Sequence, residues 1–306
     1  MRPSTWLPVL EQLASGIMIS GSEFRSALGV SRAAVWQRVN YIKSLGVAVE
    51  ATNLGYQLKY PVYLPNIERI QASFTMEVNL LPEVTSTNTL VLESRTERCL
   101  MTLYQSQGRG RRGRPWVGAP GYALMFSVGS WLDSGLQEFS GLSVDIGVAI
   151  CNFLNTRGIP VYLKWPNDLW IGEAKLAGIL TEMQGDQDRT FVVVGFGMNL
   201  EKPHGTDSSV ACFHDHSESP WCDNQTIGLV TAILSTITKY TTSSSEDRMC
   251  RYREVSLLEN REIAVDDGGK KILGIAQGID EFGRLLLLTD RGVKYVSAGE
   301  VSVRPV

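Results

Sequence analysis

Apolar residues recur at Val35, Val39, Ile42 and Leu45, one face of a helical period, while Arg32, Gln37, Arg38 and Lys43 are free to point elsewhere. Ser31, after the tight turn Leu28-Gly29-Val30, is placed to cap this helix, and Gly46 to end it. Upstream, Ser20-Gly21-Ser22 reads as the entry to an earlier helix. Downstream, Val47 and Val49, then Tyr56 and Leu58, alternate on either side of Thr52-Asn53-Leu54-Gly55, the pattern of a two-stranded hairpin. Helix, glycine turn, basic second helix and hairpin together predict a winged helix-turn-helix over residues 1–62. Beyond the linker Pro61-Val62-Tyr63-Leu64-Pro65, strand-like and helix-like segments alternate, which marks a second domain over residues 66–258. Leu142, Ile146, Ala149, Ile150, Phe153 and Leu154 define a long amphipathic helix stopped at Gly158-Ile159-Pro160. Val161-Tyr162-Leu163 and Phe191-Val192-Val193-Val194 read as strands, the second ending in Gly195-Phe196-Gly197-Met198-Asn199. Residues 259–306 hold short strands separated by Asp-Gly, Phe-Gly and Arg-Gly turns, as in a small SH3-like β-barrel. The predicted class is a multidomain α+β chain.

Length and composition suit a soluble protein of two or three domains: 306 residues, 43% of them apolar. The net charge is only −3, so nucleic-acid affinity has to come from a local patch. Residues 1–60 supply one, with six Lys or Arg against three acids. A winged helix lays its second helix in the major groove, here with Ser31, Arg32, Trp36 and Gln37 at base edges and Arg38 and Lys43 on phosphates. Protein interaction is the alternative use of the same module. Neither a membrane span nor a signal-peptide core is evident, so the chain is expected in the cytoplasm, without a membrane partner. Five scattered cysteines argue for reduced thiols over a disulfide framework. Cys212, His214, His216 and Cys222 lie close together, but their spacing matches no common zinc site, and no metal site of the protein's own is expected.

The densest chemistry is Gly108-Arg109-Gly110-Arg111-Arg112-Gly113-Arg114-Pro115-Trp116. Glycines allow close backbone approach and guanidinium groups bind phosphate or carboxylate oxygens in a forked geometry. A mobile loop closing over an anionic small molecule is one reading, and a solvated basic loop touching nucleic acid is the other. Ser86, Thr87 and Asn88 follow a strand end, where they either cap a helix or read a polar ring. Lys164-Trp165-Pro166-Asn167-Asp168 is followed by Lys175 within Lys175-Leu176-Ala177-Gly178-Ile179-Leu180; Asp168 is either a working carboxylate or half of a structural pair with Lys164. No P-loop, dinucleotide fingerprint or convincing Ser-His-Asp or Cys-His set occurs; the three histidines all lie between residues 204 and 216.

In this order, Ser-Thr-Asn, Gln105 with the Gly/Arg loop, Lys-Trp-Pro-Asn-Asp, Lys-Leu-Ala-Gly-Ile-Leu and Gly-x-Gly-x-Asn, the motifs resemble the bifunctional biotin–protein ligase and biotin operon repressor family over nearly the whole chain. The resemblance departs at Pro115, at residues 121–126 and at residues 201–225. It implies a class II synthetase-like core built on a mixed β-sheet with helices. It also implies a biotin site of Ser86, Thr87, Asn88, Gln105, Arg109, Gly110, Arg111 and Lys175. Catalytic groups would be Lys175, Arg111, Asp168 and Lys164, with Asp168 orienting or deprotonating the acceptor lysine or helping to hold the metal. ATP contacts would come from Arg111, Arg112, Arg114, Lys164 and Asn199, and Mg²⁺ would enter only with ATP. The implied activity is ATP-dependent formation of biotinyl-5′-AMP and transfer of biotin to a lysine of a biotin carboxyl carrier domain. Implied partners are that acceptor, operator DNA and a second copy of the chain when the adenylate is bound. A lipoate ligase shares the core architecture, but the arginine loop and winged helix disfavour it. A repressor that senses biotin without catalysis is the rival of another class, and a ligase whose winged helix no longer binds DNA is a third alternative.

Overall fold

The computed structural model describes residues 5–185, 187–203, 210–242, 244–267, 270–297 and 301–305. At the N-terminal end, α1 (Leu7–Leu13) buries Val9, Leu10 and Leu13. In α2 (Gly21–Leu28), Ser20 and Glu23 cap each other reciprocally, with Glu23 N–H donating to Ser20 Oγ at 3.2 Å and Ser20 N–H to the Glu23 carboxylate at 2.7 Å. Gly29, at φ +62°, ends it. Ser31 then accepts from Ala34 N–H at 3.2 Å and starts α3 (Arg32–Ser44), which buries Val35, Val39 and Ile42. The wing is the antiparallel pair β1 (Val49–Ala51) and β2 (Tyr56–Leu58). Helix α1 is the element that the apolar pattern does not reveal, since a seven-residue helix spans barely two turns and has no side-chain cap.

This unit packs on the rest of the chain. Its core continues from Trp6, Phe24, Val39 and Ile42 into Leu103, Ala119 and Tyr122. Trp6 Nε1 and Tyr41 OH both donate to the Glu83 carboxylate, at 3.4 and 3.2 Å, and Ala48 N–H donates to Tyr122 OH at 3.3 Å.

The central region runs α4 (Ile67–Gln71), β3 (Glu77–Val84), α5 (Thr87–Ser94), β4 (Arg98–Gln105), β5 (Ala123–Leu132), α6 (Leu142–Asn155), β6 (Tyr162–Lys164), β7 (Asp168–Ile171), β8 (Ala174–Gly185), β9 (Thr190–Asn199), α7 (Asp223–Lys239) and α8 (Ser245–Val255). Seven strands form one mixed sheet in the order β3-β4-β5-β9-β8-β7-β6, parallel only between β3 and β4. Strand β9 is buried throughout, so it reads as one apolar run. Val192, Val194, Phe196 and Met198 join the main core with α6 and α7, while Phe191 and Val193 pack with Val91 of α5 on the opposite face. The strand runs through Gly195-Phe196-Gly197 and ends at Asn199, the close that its sequence pattern predicts.

The C-terminal sheet comprises β10 (Glu262–Asp267), β11 (Lys270–Ile279), β12 (Leu285–Thr289), β13 (Gly292–Val296) and β14 (Val301–Pro305), all antiparallel in the order β13-β12-β11-β10-β14, as suits an SH3-like unit. Its β11–β12 turn rests on the core: Trp165 Nε1 donates to Gly283 O at 2.9 Å, and Arg248 Nη1 to Glu281 O at 2.9 Å. Arg248 is itself paired with buried Asp145 at 2.9 Å.

Candidate active site

The ends of β4, β7 and β8, the start of α5 and the Gly/Arg loop surround one cavity of about 430 Å³. At one end, Ser86 caps α5 by accepting from Thr89 N–H at 3.4 Å. Thr87 and Asn88 do not cap. Thr87 N–H and Oγ1 both donate to Gln105 Oε1, at 2.8 and 3.2 Å, which fixes the orientation of that amide. Buried Ser127 stands between Thr87 Oγ1 and Asn88 Oδ1, at 2.7 and 2.6 Å. Asn88 Nδ2 donates to Leu180 O at 3.1 Å and to Glu182 at 2.9 Å. The result is a rigid set of amides and hydroxyls beside an apolar wall that includes Phe126 and Phe196.

The loop after β4 closes on itself. Gly110 N–H donates to Arg114 O at 2.7 Å and Trp116 N–H to Gly108 O at 2.8 Å. Its tip turns through Arg112 at φ +57° and Gly113 at φ +69°. A Cβ at Gly108 would collide with Trp116 O, so that glycine is needed for the close approach of the loop's two limbs. Arg109 Nη2 reaches Thr89 Oγ1 at 2.9 Å and Glu182 at 3.4 Å. Arg111 Nη1 reaches Asn167 Oδ1 at 3.3 Å, and Asn167 is held in turn through its Nδ2 donating to Ile179 O at 2.7 Å. Burial pulls the pKa of the Arg111 guanidinium below its ordinary value, opposed by the charge of Asp168 and assisted by that of Arg112. It remains a cation, but one already stripped of part of its hydration.

At the other end, Lys175 Nζ donates to Asp168 Oδ1 at 2.7 Å, and it lies 5.7 Å from the centroid of the Trp116 ring. Lys164 Nζ lies 3.9 Å from the centroid of Trp170. Trp116 rests on β9, where a Cβ at Gly197 would lie 2.5 Å from its ring. Its indole N–H is buried and has no hydrogen-bond partner among the described residues.

One cavity therefore brings together Ser86, Thr87, Asn88, Gln105, Arg109, Gly110, Arg111, Arg112, Arg114, Lys164, Asp168 and Lys175. It does not bring in Asn199. That side chain is buried, and its Nδ2 donates at 3.4 Å to the carbonyls of Lys175 and Ala211, tying residues 210–211 to the strand that carries Lys175. Asn167, Trp170, Gly178 and Gly195 also line the cavity. Ser127 and Glu182 support it, although each lies within an ordinary strand pattern that gives no local signal. Ser31, Arg32, Trp36, Gln37, Arg38 and Lys43 lie apart from it on or beside α3; Arg32, Trp36, Gln37 and Lys43 are exposed and Arg38 is half-buried. No helix among the described residues is long and apolar enough to cross a membrane. Among those residues no three His, Cys, Asp or Glu side chains form a metal-holding group, and His204 lies outside them.

Three family models match: an HTH domain over residues 6–57, the biotin/lipoate A/B protein ligase family over residues 80–199, and the biotin protein ligase C terminal domain over residues 260–304. The bifunctional ligase/repressor BirA of Escherichia coli is 31% identical over 317 aligned residues, covering 97% of each chain. The Bacillus subtilis protein of the same name is 29% identical over 95% of each. A solved biotin protein ligase from Aquifex aeolicus, in complex with biotin and ATP, superposes with a TM-score of 0.64 at 26% identity, covering 76% of this chain and all of that one.

Proposed function

The chain belongs to the bifunctional ligase/repressor family of biotin–protein ligases, and on that premise we propose that it activates biotin with ATP, transfers it to an acceptor lysine and represses transcription in response to biotin. The carrying observation is the polarity of the cavity: fixed amides and hydroxyls around Gln105 at one end, cations around Lys175 at the other. A molecule with a neutral, hydrogen-bonding ring and a carboxylate tail matches that layout. Ser86, Thr87, Asn88 and Gln105 take the ureido ring, and Arg109 and Gly110 cover it. Lys175 and Arg111 take the carboxylate.

A carboxylate is a poor electrophile and has to approach a polyphosphate of like charge. One carboxylate oxygen attacks the α-phosphorus of MgATP, the bond from that phosphorus to the bridging oxygen breaks, and pyrophosphate leaves with the bond's electron pair. Arg111, Arg112, Arg114, Lys164 and Lys175 lower the repulsion in this step without forming a covalent intermediate. Mg²⁺ belongs to the nucleotide substrate and offsets phosphate charge. The neutral amine of an acceptor lysine then attacks the acyl carbon, AMP departs, and the amine proton must be lost. On this reading Asp168 accepts it; the support is that Asp168 lines the cavity and pairs with Lys175. Asn199 acts at one remove, by fixing the Lys175 strand.

Incubation with biotin, MgATP and an apo biotin carboxyl carrier domain is expected to biotinylate one lysine of the carrier; an unmodified carrier contradicts the transferase reading. The repressor half rests on the exposed side chains of α3, Arg32, Trp36, Gln37 and Lys43. Loading with the adenylate favours a homodimer, whose two recognition helices match a two-fold operator. A gel shift on operator DNA that is unaffected by biotin and ATP contradicts this half alone.

A further inference from the structure

Glu182 has no part in the chemistry above, yet it touches two groups that do. Its carboxylate accepts from Asn88 Nδ2 at 2.9 Å and lies 3.4 Å from Arg109 Nη2, which also donates to Thr89 Oγ1 at 2.9 Å. Strand β8, the first turn of α5 and the Gly/Arg loop thus meet on one side chain. Asn88 has little freedom to compensate, because Ser127 Oγ faces its oxygen at 2.6 Å and a Cβ at Gly195 would overlap its Oδ1. The Arg109 and Glu182 side chains are 44% and 26% exposed, so the ion pair itself adds little to stability. Its consequences are position and charge. Arg109 is the cation at the Asn88 end of the cavity, whereas Arg111 and Lys175 stand near Asp168. Glu182 offsets the first and leaves the positive charge concentrated at the second.

We infer that Glu182 is a positioning and specificity residue: it holds Arg109 and Asn88 over the ring end and keeps that end electrically neutral. A monocarboxylic acid with an uncharged head then enters tail-first toward Lys175, and a dicarboxylate is refused because its second charge finds no uncompensated cation. The inference rests on the ligase reading.

Biotin-dependent pyrophosphate release from MgATP is measured for wild type, Glu182→Gln, Glu182→Asp, Arg109→Gln and the Arg109→Gln/Glu182→Gln double variant, with nonanedioate as a competing dicarboxylate. Glu182→Gln is expected to raise the KM for biotin about 10-fold with kcat within about twofold, an effect that vanishes in the Arg109→Gln background, as coupled residues require. Glu182→Asp, which keeps the charge, recovers most of the loss. Nonanedioate is expected to inhibit Glu182→Gln several-fold more strongly than wild type. An unchanged KM, a fall in kcat alone, the same KM change without Arg109, or equal inhibition by the dicarboxylate overturns the inference. A wild-type protein that releases no pyrophosphate with biotin overturns the ligase reading itself, and a Glu182→Gln variant that does not fold leaves the Glu182→Asp and wild-type arms to decide.

Discussion

Lys175 from β8 and Arg111 from the loop after β4 both line the cavity, and the charge of Asp168 acts on both. Two cations are held there before any ligand arrives, so a carboxylate and a phosphate meet charge that need not reorganise. Lys175→Ala is expected to lower kcat/KM for adenylation by about 10²- to 10³-fold, the loss that follows removal of one preorganised stabilising group; stopped-flow pyrophosphate detection reads it, and a near-wild-type value contradicts the role. Arg111 does a second job, since its bond to Asn167 closes the loop onto the strand pair beneath. Arg111→Gly is therefore expected to speed escape of the bound adenylate by about 10-fold or more, in line with loss of one charge-assisted hydrogen bond. Adenylate dissociating at the wild-type rate would show that the loop is not held shut by this residue.

Elements with local signals are legible in the sequence. The capped helices α2 and α3, the wing and α6 all carry a stop, a cap or a clear period. Helix α1 is too short to show a period, whereas β9 closes on the Gly-x-Gly-x-Asn run that its pattern shows, without a local reason for the glycines. Those glycines answer a tertiary need, as Asn88 and Trp116 fill the space their side chains would take. The same holds in the site. Gln105, the arginines, Asp168 and Lys175 lie in motifs, but Ser127 pairs with Thr87 across 40 positions and Glu182 with Asn88 across 94, distances at which no local pattern operates. Helices α6 and α8 carry another such long-range feature, the buried Asp145–Arg248 pair. Burial pushes the Asp145 carboxyl above its ordinary pKa of 3.8, with the Arg248 charge opposing the shift. The folded state then holds that proton more tightly than the unfolded chain, so the group's contribution to stability falls as pH rises from 3.8 through the raised value. Asp145→Asn is expected to remove this slope and, by leaving Arg248 buried without a counter-charge, to cost about 3 kcal/mol in urea unfolding. An unchanged unfolding midpoint would mean that the pair carries no net weight.

At the scale of the whole molecule, the winged helix is fastened to the strand that leads into the site. Trp6 and Tyr41 converge on Glu83 of β3, three residues before Ser86, and Tyr122 holds Ala48. The C-terminal sheet is fastened to the same core through Trp165, which lines the cavity from within while donating to Gly283. The two outer units are thus both fastened to the central region that lines the cavity, and the proposed DNA contacts on α3 lie outside it. Arg32→Ala is accordingly expected to weaken operator binding by about 10-fold or more, the cost of one lost recognition contact, while leaving pyrophosphate release intact; equal losses in both assays would mean that the two functions share that residue. Both proposed roles depend on a single chemical event, the activation of biotin's carboxylate. The direct measurement is pyrophosphate release from MgATP with biotin, with lipoate and with neither. Release is expected with biotin alone, with the adenylate retained on the protein; release with lipoate in place of biotin, or none with either acid, contradicts the proposed biotin activation.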